Sequence, residues 1–112
     1  MMAMEDLYRK SIEFWGKDYP LRQLAEECME LGQALLKYVR SSKNETPVPM
    51  WEAWEKVIEE LADVDLCRSV MICGMNPEDS QKMYDVYAAK RDRYEERLKV
   101  YEIAKRSEEN ER

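Results

Sequence analysis

Two stretches, Ala25–Leu36 (AEECMELGQALL) and Ile58–Ser69 (IEELADVDLCRS), decide how this chain reads. Each carries two adjacent glutamates, and each places a further carboxylate three residues after the second: Glu27 then Glu30, Glu60 then Asp63. Residues three apart share one face of an α-helix. Both stretches have helical apolar spacing, so each helix presents a pair of acids. If the two helices pack side by side, four carboxylates converge and repel one another, and their pKa values rise unless something neutralises them. A hard divalent cation with oxygen ligands meets that need, and Mg²⁺ is the common choice where phosphates are the substrate.

Around the first stretch the pattern predicts a helix over about 21–40. Leu24, Cys28, Leu31 and Leu35 recur at intervals of 4, 3 and 4, which predicts a buried stripe. At about 100° per residue, Gln23, Glu27, Glu30 and Ala34 form a second stripe beside it, so the acids are expected at the edge of the core. Around the second stretch a helix is predicted over about 51–73. Trp54, Val57, Ile58, Leu61 and Val64 make its first apolar face, flanked by Glu60 and Asp63, while Leu66, Val70 and Cys73 make another. A helix apolar on more than one side is surrounded by partners. In a chain of 112 residues that predicts a second subunit.

The remaining segments frame these two helices. Ser41–Pro49 (SSKNETPVP) reads as the connecting loop. Met4 to Trp15 reads as an earlier helix with Leu7, Ile12 and Trp15 as its apolar residues, ended by Gly16 and Pro20, with Asp18 as a cap for the next. Gly74 closes the third helix. Asn76-Pro77-Glu78-Asp79 opens a fourth, with an Asn cap, Pro in the first turn and acids beside the helix N-terminus. Met83, Tyr87, Tyr94, Leu98 and Tyr101 give that helix an apolar stripe, and Lys90, Arg91, Arg93 and Arg97 give it a basic middle. The charged tail, Lys105 to Arg112, is expected to fray. No linker divides the chain, so it reads as one all-α domain over residues 1–112: a bundle of four to five helices whose core is completed by homodimerisation, or by a tetramer.

Composition narrows the function. The chain is 38% charged with only 3 Gly and 4 Pro, which favours helices over a sandwich or a disordered chain. Its net charge of −6 argues against a polymeric nucleic-acid partner, since such binders carry a basic face. The absence of histidine removes Ser-His and Cys-His catalysis and any His-ligated zinc. Cys28, Cys67 and Cys73 are odd in number, lack CxxC spacing and lie in apolar helical surroundings, so buried reduced thiols and a cytoplasmic location are expected. No apolar run approaches the roughly 18 residues of a membrane span, and MMAMEDLYRK has no signal-peptide pattern.

EECMEL followed by EELADV resembles the ExxE…ExxD signature of the MazG-like, all-α nucleoside triphosphate pyrophosphohydrolases, the compact phage and bacterial single-domain members above all. The resemblance runs over roughly residues 21–97. It implies that Glu27, Glu30, Glu60 and Asp63 bind Mg²⁺, with Mn²⁺ as a substitute, and that Glu26 and Glu59 serve in the outer shell or orient water. It also implies basic residues on the following helix that grip a triphosphate, a part that Lys90, Arg93 and Arg97 look similar to. The implied reaction is hydrolysis of a nucleoside triphosphate to the monophosphate and pyrophosphate, with Glu27 or Glu30 orienting the water. A phosphoribosyl-ATP pyrophosphohydrolase or a dUTPase-like enzyme would share these motifs.

Each of these features has a plainer alternative. Glu-rich surface helices produce ExxE pairs as solvated faces. The basic residues of the last helix could pair with Asp92, Glu95 and Glu96 or with a neighbouring subunit. Trp51, beside the loop, could meet a nucleobase or a partner subunit, and Gln23 could hydrogen-bond a base or be an ordinary surface residue. Asp65 and Arg68 are placed to form an ion pair. A non-enzymatic helical interaction module would use the same apolar stripes and leave the acids in solvent.

Overall fold

The computed structural model describes residues 1–111. They form four helices and no strand: α1 (Met4–Trp15), α2 (Tyr19–Ser42), α3 (Met50–Ile72) and α4 (Pro77–Glu111). The chain divides into two compact units, Met1–Gly74 and Met75–Arg112. No helix among the described residues is long and apolar enough to cross a membrane.

In the first unit α2 and α3 run antiparallel along each other, and α1 lies against both. Antiparallel packing follows from the short connection. Ser41 near the end of α2 is buried and its hydroxyl donates to the Val48 carbonyl at 2.7 Å, which folds the loop back on the helix end. The Glu45 amide donates to the Arg40 carbonyl at 2.9 Å, and Asn44 takes the left-handed conformation (φ 57°) that Asn tolerates. Carbonyls left over at the end of α2 are thereby satisfied. Pro49 then precedes α3 in an extended conformation.

The seam between α2 and α3 differs from the predicted stripe. The less exposed positions of α2 include Pro20, Leu24, Glu27, Leu31, Ala34, Tyr38 and Ser41, spaced alternately four and three apart. Those of α3 include Ala53, Val57, Glu60, Val64, Cys67 and Met71, in the same alternation. This is the two-helix seam spacing of a coiled coil. Cys28 and Leu35, expected inside, are exposed, and Leu24 and Leu31 are half-buried. On α3, Trp54, Ile58 and Leu61 are exposed as well, though the Trp54 ring meets Tyr38 with centroids 5.1 Å apart. The physical reason lies in Ala34, Ala53 and Val57, which are 6%, 2% and 1% exposed. Small side chains let the helix backbones approach, so the seam runs through them together with Leu24 and Leu31, and leaves Cys28 and Leu35 outside.

The boundaries come close to expectation, with local differences. Gly16 ends α1 with φ 95°, a conformation that side chains resist, and its amide donates to the Ile12 carbonyl. Asp18 sits at the N-cap position of α2 without a side-chain cap hydrogen bond. Pro20 lies inside the first turn of α2 and not before it, where its missing N–H costs nothing. Gly74 is needed for close approach: the Tyr8 ring of α1 stands where a Cβ at Gly74 would be.

The second unit is α4. The Asp79 amide donates to the Asn76 side chain at 2.8 Å, the expected cap, and Pro77 begins the helix. Tyr87, Tyr94, Leu98 and Tyr101 are exposed along it, and α4 has no buried residue. The helix continues through Lys105 to Glu111, with Arg106 paired to Glu102 at 2.9 Å, and the final residue of the expected frayed tail, Arg112, lies outside the described residues.

Candidate metal centre

The seam brings a carboxylate of each helix into its interior. Glu27 and Glu60 both occupy seam positions, and Glu60 is 3% exposed. Glu30 and Asp63, one turn further along their helices, flank them. One carboxylate oxygen each from Glu27, Glu30 and Glu60 lie within 4.8 Å of one another, as do one each from Glu59, Glu60 and Asp63. Glu60 belongs to both groups. All four residues of the paired motif are therefore gathered, with Glu59 added. Glu59, expected in the outer shell, contributes to a group directly; Glu26 is exposed and belongs to neither.

The electrostatics are unbalanced. Burial, followed by the charges of Glu30, Asp63 and Glu60, raises the Glu27 pKa above its ordinary value. Two carboxylate oxygens, Glu27 Oε2 and Glu60 Oε2, are shut off from solvent with no hydrogen-bond partner. Leaving such an atom unpaired is costly. The partners present cover the other oxygens. Gln23 Nε2 donates to Glu27 Oε1 at 3.3 Å, and Lys56 Nζ meets Glu60 Oε1 at 2.9 Å and Glu59 Oε1 at 3.6 Å. Glu60, then Glu59, holds the Lys56 ammonium above its ordinary pKa.

The donor set fits a metal ion. It consists of carboxylate oxygens, the ligands of hard cations, and the two unpartnered oxygens are those a cation would take up. Lys56 was not a candidate from the sequence. Its signal was present as the i, i+4 relation to Glu60, which reads as an ordinary surface pair until Glu60 is known to be buried.

The other predicted residues are placed as follows. Gln23 is half-buried and bonded to Glu27, so it acts on the cluster itself. Beside it, a pocket of about 220 Å³ is lined by Leu7, Trp15, Tyr19, Gln23, Leu66 and Cys67 among others, with the Trp15 and Tyr19 rings 4.7 Å apart. Burial, then Glu27 and Asp63, raises the Cys67 thiol pKa. All three cysteines are free, but Cys28 is exposed and the others only half-buried, against the expectation of buried thiols. Trp51 is exposed in the first turn of α3. Lys90, Arg93 and Arg97 are exposed on α4, in the second unit. The Arg97 guanidinium stands over the Tyr94 ring at 5.8 Å, and Lys99, not one of the three, pairs with Glu95 at 3.7 Å. Asp65 and Arg68 form the expected ion pair at 3.9 Å.

Comparisons with protein-family models, with curated proteins and with solved structures return no match.

Proposed function

We propose that this protein is a Mg²⁺-dependent nucleotide pyrophosphohydrolase, converting a nucleoside or deoxynucleoside triphosphate to the monophosphate and pyrophosphate. The observation that carries the reading is Glu60: buried in a helix seam, common to two groups of carboxylate oxygens, with one oxygen unpartnered. A solvated acidic face has no reason to bury its central carboxylate. The resemblance of EECMEL and EELADV to the MazG-like signature supports the same reading.

In this reading Glu27, Glu30, Glu60 and Asp63 hold the cation, with Glu59 beside them. When bound, Mg²⁺, or Mn²⁺ in its place, neutralises phosphate oxygens and acidifies a water. Glu27, half-buried at the centre of the cluster, is the first candidate for orienting that water. Gln23 fixes the Glu27 carboxylate from the other side. Glu30, the more exposed acid of that helix, is the second candidate for orienting the water.

The same reading has the protein as a homo-oligomer. Leu35, Leu36 and Val39 on α2 and Trp54, Ile58, Leu61 and Leu66 on α3 are exposed, while among the described residues the buried apolar side chains are Pro20, Ala34, Ala53 and Val57. A domain of this size with so small a core is stabilised by association. A second copy offers the same apolar faces in return.

The test is pyrophosphate release from a panel of common and modified nucleoside triphosphates, with and without Mg²⁺, beside the Glu60→Gln variant. The expected result is Mg²⁺-dependent release that falls by more than about 100-fold in the variant. The preferred base and sugar then separate a general enzyme from a dUTPase-like or phosphoribosyl-ATP one. No release from any nucleotide by the folded protein would favour the helical interaction module.

A further inference from the structure

Two clefts open along the α2–α3 seam next to the carboxylates. The smaller, about 360 Å³, is lined by Glu30, Gln33, Ala34, Lys37, Lys56 and Glu60. The larger, about 520 Å³, lies toward the loop and has Val48, Glu52, Ala53, Glu55 and Glu59 among its lining. Lys37 and Lys56 line both, one from each helix, and they are the only cations in either lining. They sit on either side of the seam where Ala34 and Ala53 bring the helices close.

The two lysines differ in what they touch. Lys56 is held against Glu60 and Glu59. Lys37 is exposed and makes no ion pair among the described residues. Clefts walled by Glu30 and Glu60, and by Glu52, Glu55 and Glu59, repel an anion unless cations oppose them, so these two ammoniums and a cation at the carboxylates decide whether a polyphosphate can lie there. Lys56 Nζ is within hydrogen-bonding reach of a carboxylate shared by both oxygen groups, so an anion it contacts is adjacent to the cation site.

We infer that Lys37 and Lys56 form the phosphate grip of this site, holding the diphosphate portion of a nucleotide in the seam clefts of the first unit. This rests on the metal-dependent reading above, and it assigns the grip to α2 and α3 in place of Lys90, Arg93 and Arg97 on α4. Lys56 has two states. Without a divalent cation it is the counter-ion of Glu60. When that charge is matched by a cation, its ammonium is released to a phosphate oxygen at the cleft edge. Lys37, already unpaired, contacts the phosphate further along. No bond is made or broken by either residue.

The test is calorimetric binding of methylenediphosphonate, a non-hydrolysable diphosphate, in the presence of Mg²⁺, with the Mg²⁺-induced rise in Tm measured on every protein. Lys37→Met and Lys56→Met should each weaken diphosphonate binding by about 10- to 100-fold, the value of a charge-assisted hydrogen bond, and leave the Mg²⁺ response in place. Lys56→Arg should restore most of the loss. Lys37→Met breaks no ion pair, so it decides the question even if Lys56→Met unfolds. Diphosphonate affinity unchanged in both Met variants, beside an intact Mg²⁺ response, overturns the grip alone. So does a loss seen only on Arg93→Met. Absence of any Mg²⁺ response in the unaltered protein overturns the metal reading and the grip with it.

Discussion

Helix α2 carries two stripes side by side, and the seam takes residues from both: Leu24 and Leu31 from the apolar one, Glu27 and Ala34 from the other. Leu24, Cys28, Leu31 and Leu35 would make the greasier interface, yet Cys28 and Leu35 face outward. The seam with α3 runs through Leu24, Glu27, Leu31, Ala34 and Ser41, and α3 answers with Ala53, Val57 and Glu60. Hydrophobicity alone would choose the leucines. Close packing selects the face that carries Ala34, which with Ala53 lets the two backbones approach. Cys28 and Leu35 are left on the outer side, with Leu36 and Val39 exposed beside them.

The sharpest way to break this comparison is to exchange bulk between the stripes. Ala34→Leu should destabilise the protein by about 1–3 kcal/mol through overpacking. It should also force the helices apart and abolish the Mg²⁺-induced rise in Tm. Leu35→Ala, one residue along, should change the stability of the dilute monomer by no more than about 0.5 kcal/mol. It should weaken self-association measured by sedimentation instead. Equal losses of stability from both variants would show that the two faces are not distinct.

A smaller effect tests the charge within the seam. The folded-state pKa of Glu27 lies above its ordinary 4.5, from burial first and then from Glu30. A carboxyl raised in this way binds its proton more tightly folded than unfolded, so its unfavourable contribution is full above the raised value. That contribution fades as pH falls and is gone below the unfolded value. In metal-free buffer, Glu27→Gln should therefore raise Tm at pH 7, with the gain shrinking as pH is lowered toward 4.5. A lower Tm at pH 7 would mean that the charged carboxylate is already balanced by its neighbours.

The smallest effect is chemical. Cys28 lies on the outer stripe and is exposed, whereas Cys67 is half-buried with a raised thiol pKa from burial and the nearby acids. Alkylation at pH 8 in dilute protein should modify Cys28 first and Cys67 much later, since the thiolate is the reactive form. At higher protein concentration Cys28 should slow as a second copy covers it. A concentration-independent Cys28 rate would argue that this stripe faces solvent throughout.

Much of this was readable in the chain. The Asn76-Pro77 start of α4 and the Gly16 end of α1 are local matters of hydrogen bonding and backbone freedom, so a few residues suffice to set them. The doubled acidic motif was equally local, because spacing of three on a helix guarantees a shared face. The error on Cys28 and Leu35 arose because periodicity gives the direction of a stripe only to within one residue. Lys56 escapes the sequence reading for a related reason: its i, i+4 pair with Glu60 looks the same exposed or buried.

The sequence by itself determined an all-α chain, the Gly16 and Asn76-Pro77 boundaries and the pairing of the acids, all consequences of interactions between residues a few positions apart. Only the tertiary structure decided which face of α2 meets α3, that Glu60 lies inside the seam with an unpartnered oxygen, and that Lys37 and Lys56 stand on either side of it. Those depend on how closely two backbones approach, and that distance is set by small side chains on both helices at once.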